Sequence, residues 1–251
     1  MKLNPIHPGT SDHSDLLRYR PLYRLVTHCR FPGALQLAAL VAFLLLIVVG
    51  WHGVSSETRY TNLSGHIVWV IWWPALVFSG FFAARAWCIV CPMGFVTKQL
   101  GRVGLQIKVP ETIREHRIGI VLGLFLLHTI IVSYHVHHVP HLTSLYMLLL
   151  MGYGIAVSLL FEPDAFCGSF CPVNGIIGPY AMLSPTELRF KDRSACKDCT
   201  SNACKKICPR NLYMGSLDSS EEDCLLCFDC VKQCPESNIR FRLSQPLKGL
   251  W

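Results

Sequence analysis

Polar and apolar positions divide the chain into a basic N-terminal stretch, four long apolar runs and a polar, cysteine-rich tail. The runs cover about 34–51, 66–84, 118–134 and 142–161. Each is near the ~20 residues that a helix needs to cross a bilayer core. Pro74 falls inside the second run, where it predicts a bend that membrane helices tolerate. Trp51, Trp69 and Trp87 stand near the predicted helix ends, as interfacial anchors do. After Phe161 the pattern changes. Gly175, Gly178, Pro179 and Pro185 predict a linker. Beyond it, Leu188-Arg189-Phe190 and Ile239–Leu243 alternate with period two, as strands do.

The expected fold is an α-helical membrane protein. Four transmembrane helices precede a small C-terminal α+β domain. The expected organisation is an N-terminal segment 1–33, a four-helix membrane domain 34–175, and a linker with the Cys-rich domain over 176–251. Gly152 and Gly154 in the fourth run would permit close helix packing. The first apolar run is long enough to anchor the chain uncleaved, and no cleavable signal is legible before it.

Composition supports this picture. Of 251 residues, 51% are hydrophobic and only 16% charged, against roughly 25% in a soluble domain. Mean hydropathy is +0.37. The net charge of +7 needs no nucleic acid partner, because the basic residues sort by loop. Lys2, Arg18, Arg20, Arg24 and Arg30 precede the first run. Arg85, Lys98, Arg102, Lys108, Arg114 and Arg117 lie between the second and third. The first connection holds only Arg59, and the third holds neither Lys nor Arg. Both termini and the middle loop are therefore expected on the cytoplasmic side of a bacterial-type inner membrane, with every cysteine there too. Thiolate ligands also require a reducing compartment.

Twelve of the 13 cysteines fall into four clusters, each ending in Cys-Pro. Cys224-x2-Cys227-x2-Cys230-x3-Cys234-Pro235 has the spacing by which bacterial ferredoxins hold a [4Fe–4S] cluster. Cys196-x2-Cys199-x4-Cys204-x3-Cys208-Pro209 resembles it, with two extra residues in the middle. In two-cluster ferredoxins the fourth cysteine of each motif serves the other cluster. Cys196, Cys199, Cys204 and Cys234 would then hold one cluster, and Cys224, Cys227, Cys230 and Cys208 the second. Structural zinc sites of four cysteines each are the alternative, although these usually show two well-separated Cys-x-x-Cys pairs.

The other two clusters form an internal repeat. Ala86-Trp87-Cys88-x2-Cys91-Pro92-x-Gly94 follows the second run, and Ala165-Phe166-Cys167-x3-Cys171-Pro172-x2-Gly175 follows the fourth. An approximate two-fold arrangement would bring Cys88, Cys91, Cys167 and Cys171 together. Four such thiolates suit a third iron–sulfur cluster. A thiol–disulfide or Cu(I) site and two separate pairs of reduced cysteines remain open. Cys29 stands alone and reads as a free thiol.

Histidines gather at the opposite ends of the runs. His52, His66, His135, His137, His138 and His141 are expected on the outer face, with His128 inside the third helix. Intramembrane ionisable groups suggest function. Quinol oxidation releases protons that imidazole accepts, and a haem between two histidines is another use. A solvated loop, with His128 satisfied by a neighbouring helix, is the plainer reading. No nucleophile–base pair, phosphate-binding loop or carboxylate dyad is legible, so any catalysis belongs to cofactors.

Together these features resemble the NapH/MauN/NosR-type membrane polyferredoxins, over nearly the whole chain from the first helix to Cys234. The most specific parts are 167–172, 224–235 and the order of helix then Cys-Pro. The resemblance implies an electron-transfer subunit of a quinol dehydrogenase-type complex. Such a subunit relays electrons between the membrane quinone pool and partner redox subunits. Cys88-x2-Cys91 and Cys199-x4-Cys204 depart from the family spacing and suggest a divergent branch. The alternatives are a copper-reducing accessory protein for oxidase assembly and a structural anchor of a redox complex.

Overall fold

A computed structural model describes residues 15–53, 57–58, 60–83, 85–101, 103–162, 165–210, 212–216 and 223–243. Lys2, Arg59 and Arg102 lie outside the described residues. Helix α1 spans Arg20–Thr27 and α2 Gly33–Trp51. Helix α3 spans Leu63–Ala83 and α4 Pro92–Leu100. Helix α5 spans Arg117–Val136, α6 Pro140–Leu160 and α7 Asn174–Leu183. Strand β1 is Thr186–Phe190. The short helices α8 (Arg193–Lys197), α9 (Ala203–Ile207) and α10 (Asp229–Gln233) follow, and β2 is Ile239–Leu243.

Helices α2, α3, α5 and α6 are long and apolar enough to cross a membrane. They leave Leu37, Leu45 and Val48 of α2, Phe78 and Phe82 of α3, Leu126 and Ile130 of α5, and Leu148 and Leu149 of α6 exposed. In water that surface would forfeit ~25 cal/mol per Å²; against lipid it forfeits nothing. This suggests a membrane protein. Where a bend was expected at Pro74, the helix holds a π-helical stretch, His66–Trp72, that ends two residues before the proline. Proline supplies no N–H and crowds the carbonyl four residues back, and a wider turn relieves both. The Trp69 indole donates to Thr143 Oγ1 at 2.8 Å, and that hydroxyl donates to the Val136 carbonyl at 2.7 Å. One polar chain thus ties α3, α5 and α6 together at the end where α5 stops.

The helices form two like halves. Helix α4 packs on α2 of its own half and on α6 of the other; α7 packs on α5 of its own half and on α3 of the other. The glycine that closes each Cys-Pro motif sits where this helix crosses its own first helix. A Cβ on Gly94 would meet the Gln36 amide at 2.9 Å, and one on Gly175 would meet the Val121 carbonyl at 3.0 Å. Gly154 admits Met93 and Phe166, whereas nothing approaches Gly152, so only one of the two glycines marks a close crossing. The stretch 175–185, expected as a linker, is instead mostly helix α7. Packing on α5 and α3 outweighs the local cost of Pro179 inside it.

Strands β1 and β2 pair antiparallel, with Leu188 opposite Phe241 and Phe190 opposite Ile239. They bracket both Cys-rich motifs. Leu188, Met214, Leu226, Phe228 and Ile239 form a core here that also takes in Leu17, Val26 and Phe31. The N-terminal segment therefore completes the C-terminal core rather than standing apart. Asp15 Oδ1 accepts from the Leu17 and Phe241 N–H groups at 3.0 and 3.2 Å, stapling the segment to β2. So small a domain buries too little apolar surface alone.

Two shared carboxylates fasten this domain to the helices. Asp229 lies 3.3 Å from Lys98 of α4 and 2.8 Å from Lys232. Asp223 lies 2.7 Å from Arg117 of α5 and 2.6 Å from Arg210. Burial would raise the Asp223 carboxyl, but Arg210 and Arg117 outweigh it and hold the group below the usual carboxylate range. Breaking such a half-buried group should cost more than the ~0–1 kcal/mol of an exposed pair and less than the ~3–5 kcal/mol of a fully buried one.

Candidate iron–sulfur centres

The Cys-rich loops place thiols by forcing the backbone through left-handed turns. Asn202 (φ 46°) and Phe228 (φ 60°) stand two residues before Cys204 and Cys230 and open α9 and α10. Leu226 (φ 51°) repeats the device between Cys224 and Cys227. Bulky residues rarely adopt this region, and such outliers gather where a site over-determines the backbone. Alternating hands also turn N–H groups inward, the arrangement that cradles anions.

The result is two thiol groups. Cys196 and Cys234 each lie within electrostatic reach of Cys199 and Cys204, and Cys196 within reach of Cys234. Cys230 has the same relation to Cys224, Cys227 and Cys208. All four of the latter line one small cavity, with Leu188, Met214 and Phe228 as its apolar wall. Each group therefore draws its fourth cysteine from the other motif. The two groups adjoin, because Cys204 also lies within reach of Cys230. Two extra residues between Cys199 and Cys204 do not prevent the gathering. Among the described residues, no three Cys, His, Asp or Glu side chains converge as the ligands of one metal ion. A cubane's ligands sit on four different irons, so its sulfurs stand farther apart than a single zinc ion's.

Asn238, buried just before β2 against the residues that follow β1, organises the first group. Its Nδ2 donates to Cys196 Sγ at 3.3 Å and its N–H to Cys234 Sγ at 3.4 Å. Its side chain also exchanges two hydrogen bonds with the Asp192 backbone, at 2.6 and 2.8 Å. Cysteine spacing alone does not single it out. Its place four residues after a Cys-Pro ligand is the one signal the sequence offers.

At the ends of α3 and α6 the repeat brings cysteines of both halves together. Cys88 lies within reach of Cys91 and Cys171, and Cys171 within reach of Cys91. Cys167 packs beside Cys171 against Val109, Val157, Ala165 and Phe166. Cys91 accepts the Met93 and Gly94 N–H groups, and Cys171 those of Val173 and Asn174. In both halves the thiol thus accepts N–H groups just after its own proline; Pro92 begins α4, whereas Pro172 stands two residues before α7. Gln36, buried on α2, donates to the Cys88 carbonyl at 3.2 Å. Arg85, a loop charge by sequence, is also buried here and hydrogen-bonded to Cys88. Cys29 is exposed.

This chemistry fits iron–sulfur ligation. Burial pushes the Cys88 and Cys227 thiols up to about 12 and Cys171 to about 11. Left alone, such thiols stay protonated at neutral pH. A bound metal displaces the proton outright.

At the other end of the helices the histidines spread out. The His141 ring lies tilted against that of Trp51, 4.5 Å between ring centres, beside His52 at the end of α2. His137 and His138 lie 3.9 Å apart, and His135 lies 6.2 Å from His138. His66 opens the π stretch of α3. His128 is buried inside the bundle, its Nδ1 against the Tyr146 hydroxyl and its ring 5.2 Å from that of Trp73.

The family described as a 4Fe-4S binding domain matches residues 65–110 and 143–191, one stretch in each half. Over 94 residues the chain is 31% identical to a putative electron transport protein, YccM, of Escherichia coli. That match covers 37% of this chain and 26% of the relative. Over 168 residues it is 24% identical to the uncharacterized protein MJ0750 of Methanocaldococcus jannaschii, covering 66% of this chain and 50% of the relative. The chain thus matches half or less of the length of these relatives. No solved structure matches it significantly. The family match and the electron-transport relative support an iron–sulfur electron-transfer protein.

Proposed function

We propose that the chain is a membrane-bound iron–sulfur relay between quinol and partner redox subunits, of the NapH/MauN/NosR type. Bound at its three thiol groups, iron–sulfur clusters would take up and pass on single electrons. The observation that carries the reading is the contact between the membrane-edge motif and the C-terminal domain. The Arg210 guanidinium lies directly on Gly168, where even a Cβ would collide with it. Arg210 also lines the cavity of Cys208, Cys224, Cys227 and Cys230. Through Cys204 and Cys230 that group adjoins the other C-terminal one. Each thiol group therefore neighbours the next, and we read Cys88, Cys91, Cys167 and Cys171 as the ligand set at the membrane edge.

The orientation proposed from Lys and Arg puts these groups on the cytoplasmic side. His128, buried against Tyr146, and the outer histidines are the candidates for proton exchange with quinol. Arg117, Arg210 and Asp223 keep the groups contiguous by clamping the cluster domain on α5.

Two measurements on purified protein test this. Iron and acid-labile sulfide should reach about twelve of each per chain, the content of three [4Fe–4S] clusters. Quinol added to the complex with its partners should reduce wild-type protein and fail to pass electrons through Cys227→Ala. A colourless, zinc-loaded protein, or quinol-driven flow unchanged in Cys227→Ala, would overturn the reading.

A further inference from the structure

Arg85 lies in the turn after the apolar helix α3, on the residue before Ala86-Trp87-Cys88, yet it does not reach solvent. It is only 4% exposed. Among the described residues no carboxylate pairs with it, and its Nε has no hydrogen-bond partner. A buried guanidinium is never neutral, and an uncompensated one is strongly destabilising. What faces it is sulfur. Arg85 hydrogen-bonds Cys88 and lies within electrostatic reach of Cys171, one cysteine from each half. The far side of the guanidinium rests against Gly178 of α7, beside the orphaned Oδ1 of Asn174. Thus α7, from the second half, walls in a cation that the first half supplies.

We propose that Arg85 is the built-in counter-charge of the membrane-edge cluster and holds its reduction potential up. This rests on the reading that Cys88, Cys91, Cys167 and Cys171 bind a cluster. An iron–sulfur cluster on four thiolates is anionic, and each electron it accepts adds a further negative charge. A fixed cation in a buried site favours the more negative state, and net charge with hydrogen bonding to sulfur sets cluster potentials. Beside the C-terminal groups, Arg210 and Lys232 spend their charge on the carboxylates of Asp223 and Asp229. Arg85 has no such carboxylate, so it makes the edge position the readier electron acceptor. It is a positioning residue acting through the ligands.

The test is an EPR-monitored redox titration of the purified, iron-loaded full chain, comparing wild type, Arg85→Lys and Arg85→Gln. The expected result is a lower midpoint for the edge cluster in Arg85→Gln, a smaller shift in Arg85→Lys, and unmoved C-terminal clusters in both. A full iron content in Arg85→Gln with an unshifted edge midpoint overturns the proposal. If Arg85→Gln loses the edge cluster, Arg85→Lys must retain it, because charge is the property claimed; loss in both also overturns it. Wild-type protein with about eight irons defeats the underlying reading instead, so the iron count separates the two failures.

Discussion

The two halves of the helical domain do the same job with motifs of different length. In the first half Cys88 and Cys91 flank two residues, and the segment Trp87–Val90 is one α-helical turn. In the second, Cys167 and Cys171 flank three, and Phe166–Phe170 is a π-helical turn. A π turn accommodates one more residue per turn than an α turn. The added residue is absorbed as a wider loop of helix, so Cys91 and Cys171 still end in the same place. Each then accepts N–H groups at the start of the crossing helix that follows its own proline. The difference teaches that the motif's invariant is the Cys-Pro step onto a crossing helix, not the count between cysteines. A second asymmetry is chemical. Arg85 precedes the first motif at the place where Asp164 precedes the second, and Asp164 lies outside the described residues.

The largest effect expected from breaking this comparison is loss of the shared centre. Cys91→Ser and Cys171→Ser should each lower iron from about twelve to about eight per chain, and Cys29→Ser should change nothing. Iron analysis that finds loss in only one of the pair would mean that the halves do not build one site. An intermediate effect should follow deletion of Ser169, which shortens the second motif to the first one's length. The π turn should collapse to an α turn, with about twelve irons retained and the edge cluster's EPR signal altered. A fall to about eight irons would show that the halves are not interchangeable. The smallest effect separates the two glycines. Gly175→Ala presses a methyl on the Val121 backbone, which cannot yield, and should cost ~1–3 kcal/mol. Gly94→Ala meets the amide end of Gln36, which can shift at the cost of its hydrogen bond to Cys88, and ~1 kcal/mol of helix propensity offsets the crowding. Thermal unfolding should therefore show a lower Tm for Gly175→Ala, by roughly 2–4 °C per kcal/mol, and little change for Gly94→Ala. Equal shifts would dissolve the distinction.

Much of this was legible from local pattern. Apolar runs about 20 residues long are set by the bilayer, so the helices observed at Gly33–Trp51, Leu63–Ala83, Arg117–Val136 and Pro140–Leu160 fall within a few residues of the runs read from sequence. Period-two alternation located both strands. Cysteine spacing led to the expectation of exchanged fourth cysteines, and the thiols of Cys234 and Cys208 lie near the first three of the other motif. The helix at Asn174–Leu183 was not legible, since its glycines and prolines argue locally for a linker. Its helical state comes from packing on α5 and α3. The roles of Arg85 and Asn238 were hidden for a related reason, because burial and the approach of distant sulfur atoms leave no mark on neighbouring sequence.

The sequence by itself determined the number and length of the apolar helices, the repeat of the Cys-Pro step and the donor chemistry, since each depends on residues close along the chain. Only the tertiary structure decided that α4 and α7 cross between halves, that the N-terminal segment completes the C-terminal core, and that Arg85 and Arg210 reach the sulfur-bearing loops. Those outcomes rest on contacts between residues far apart in sequence. There, close packing and the pairing of buried charge choose among arrangements that local pattern leaves equal.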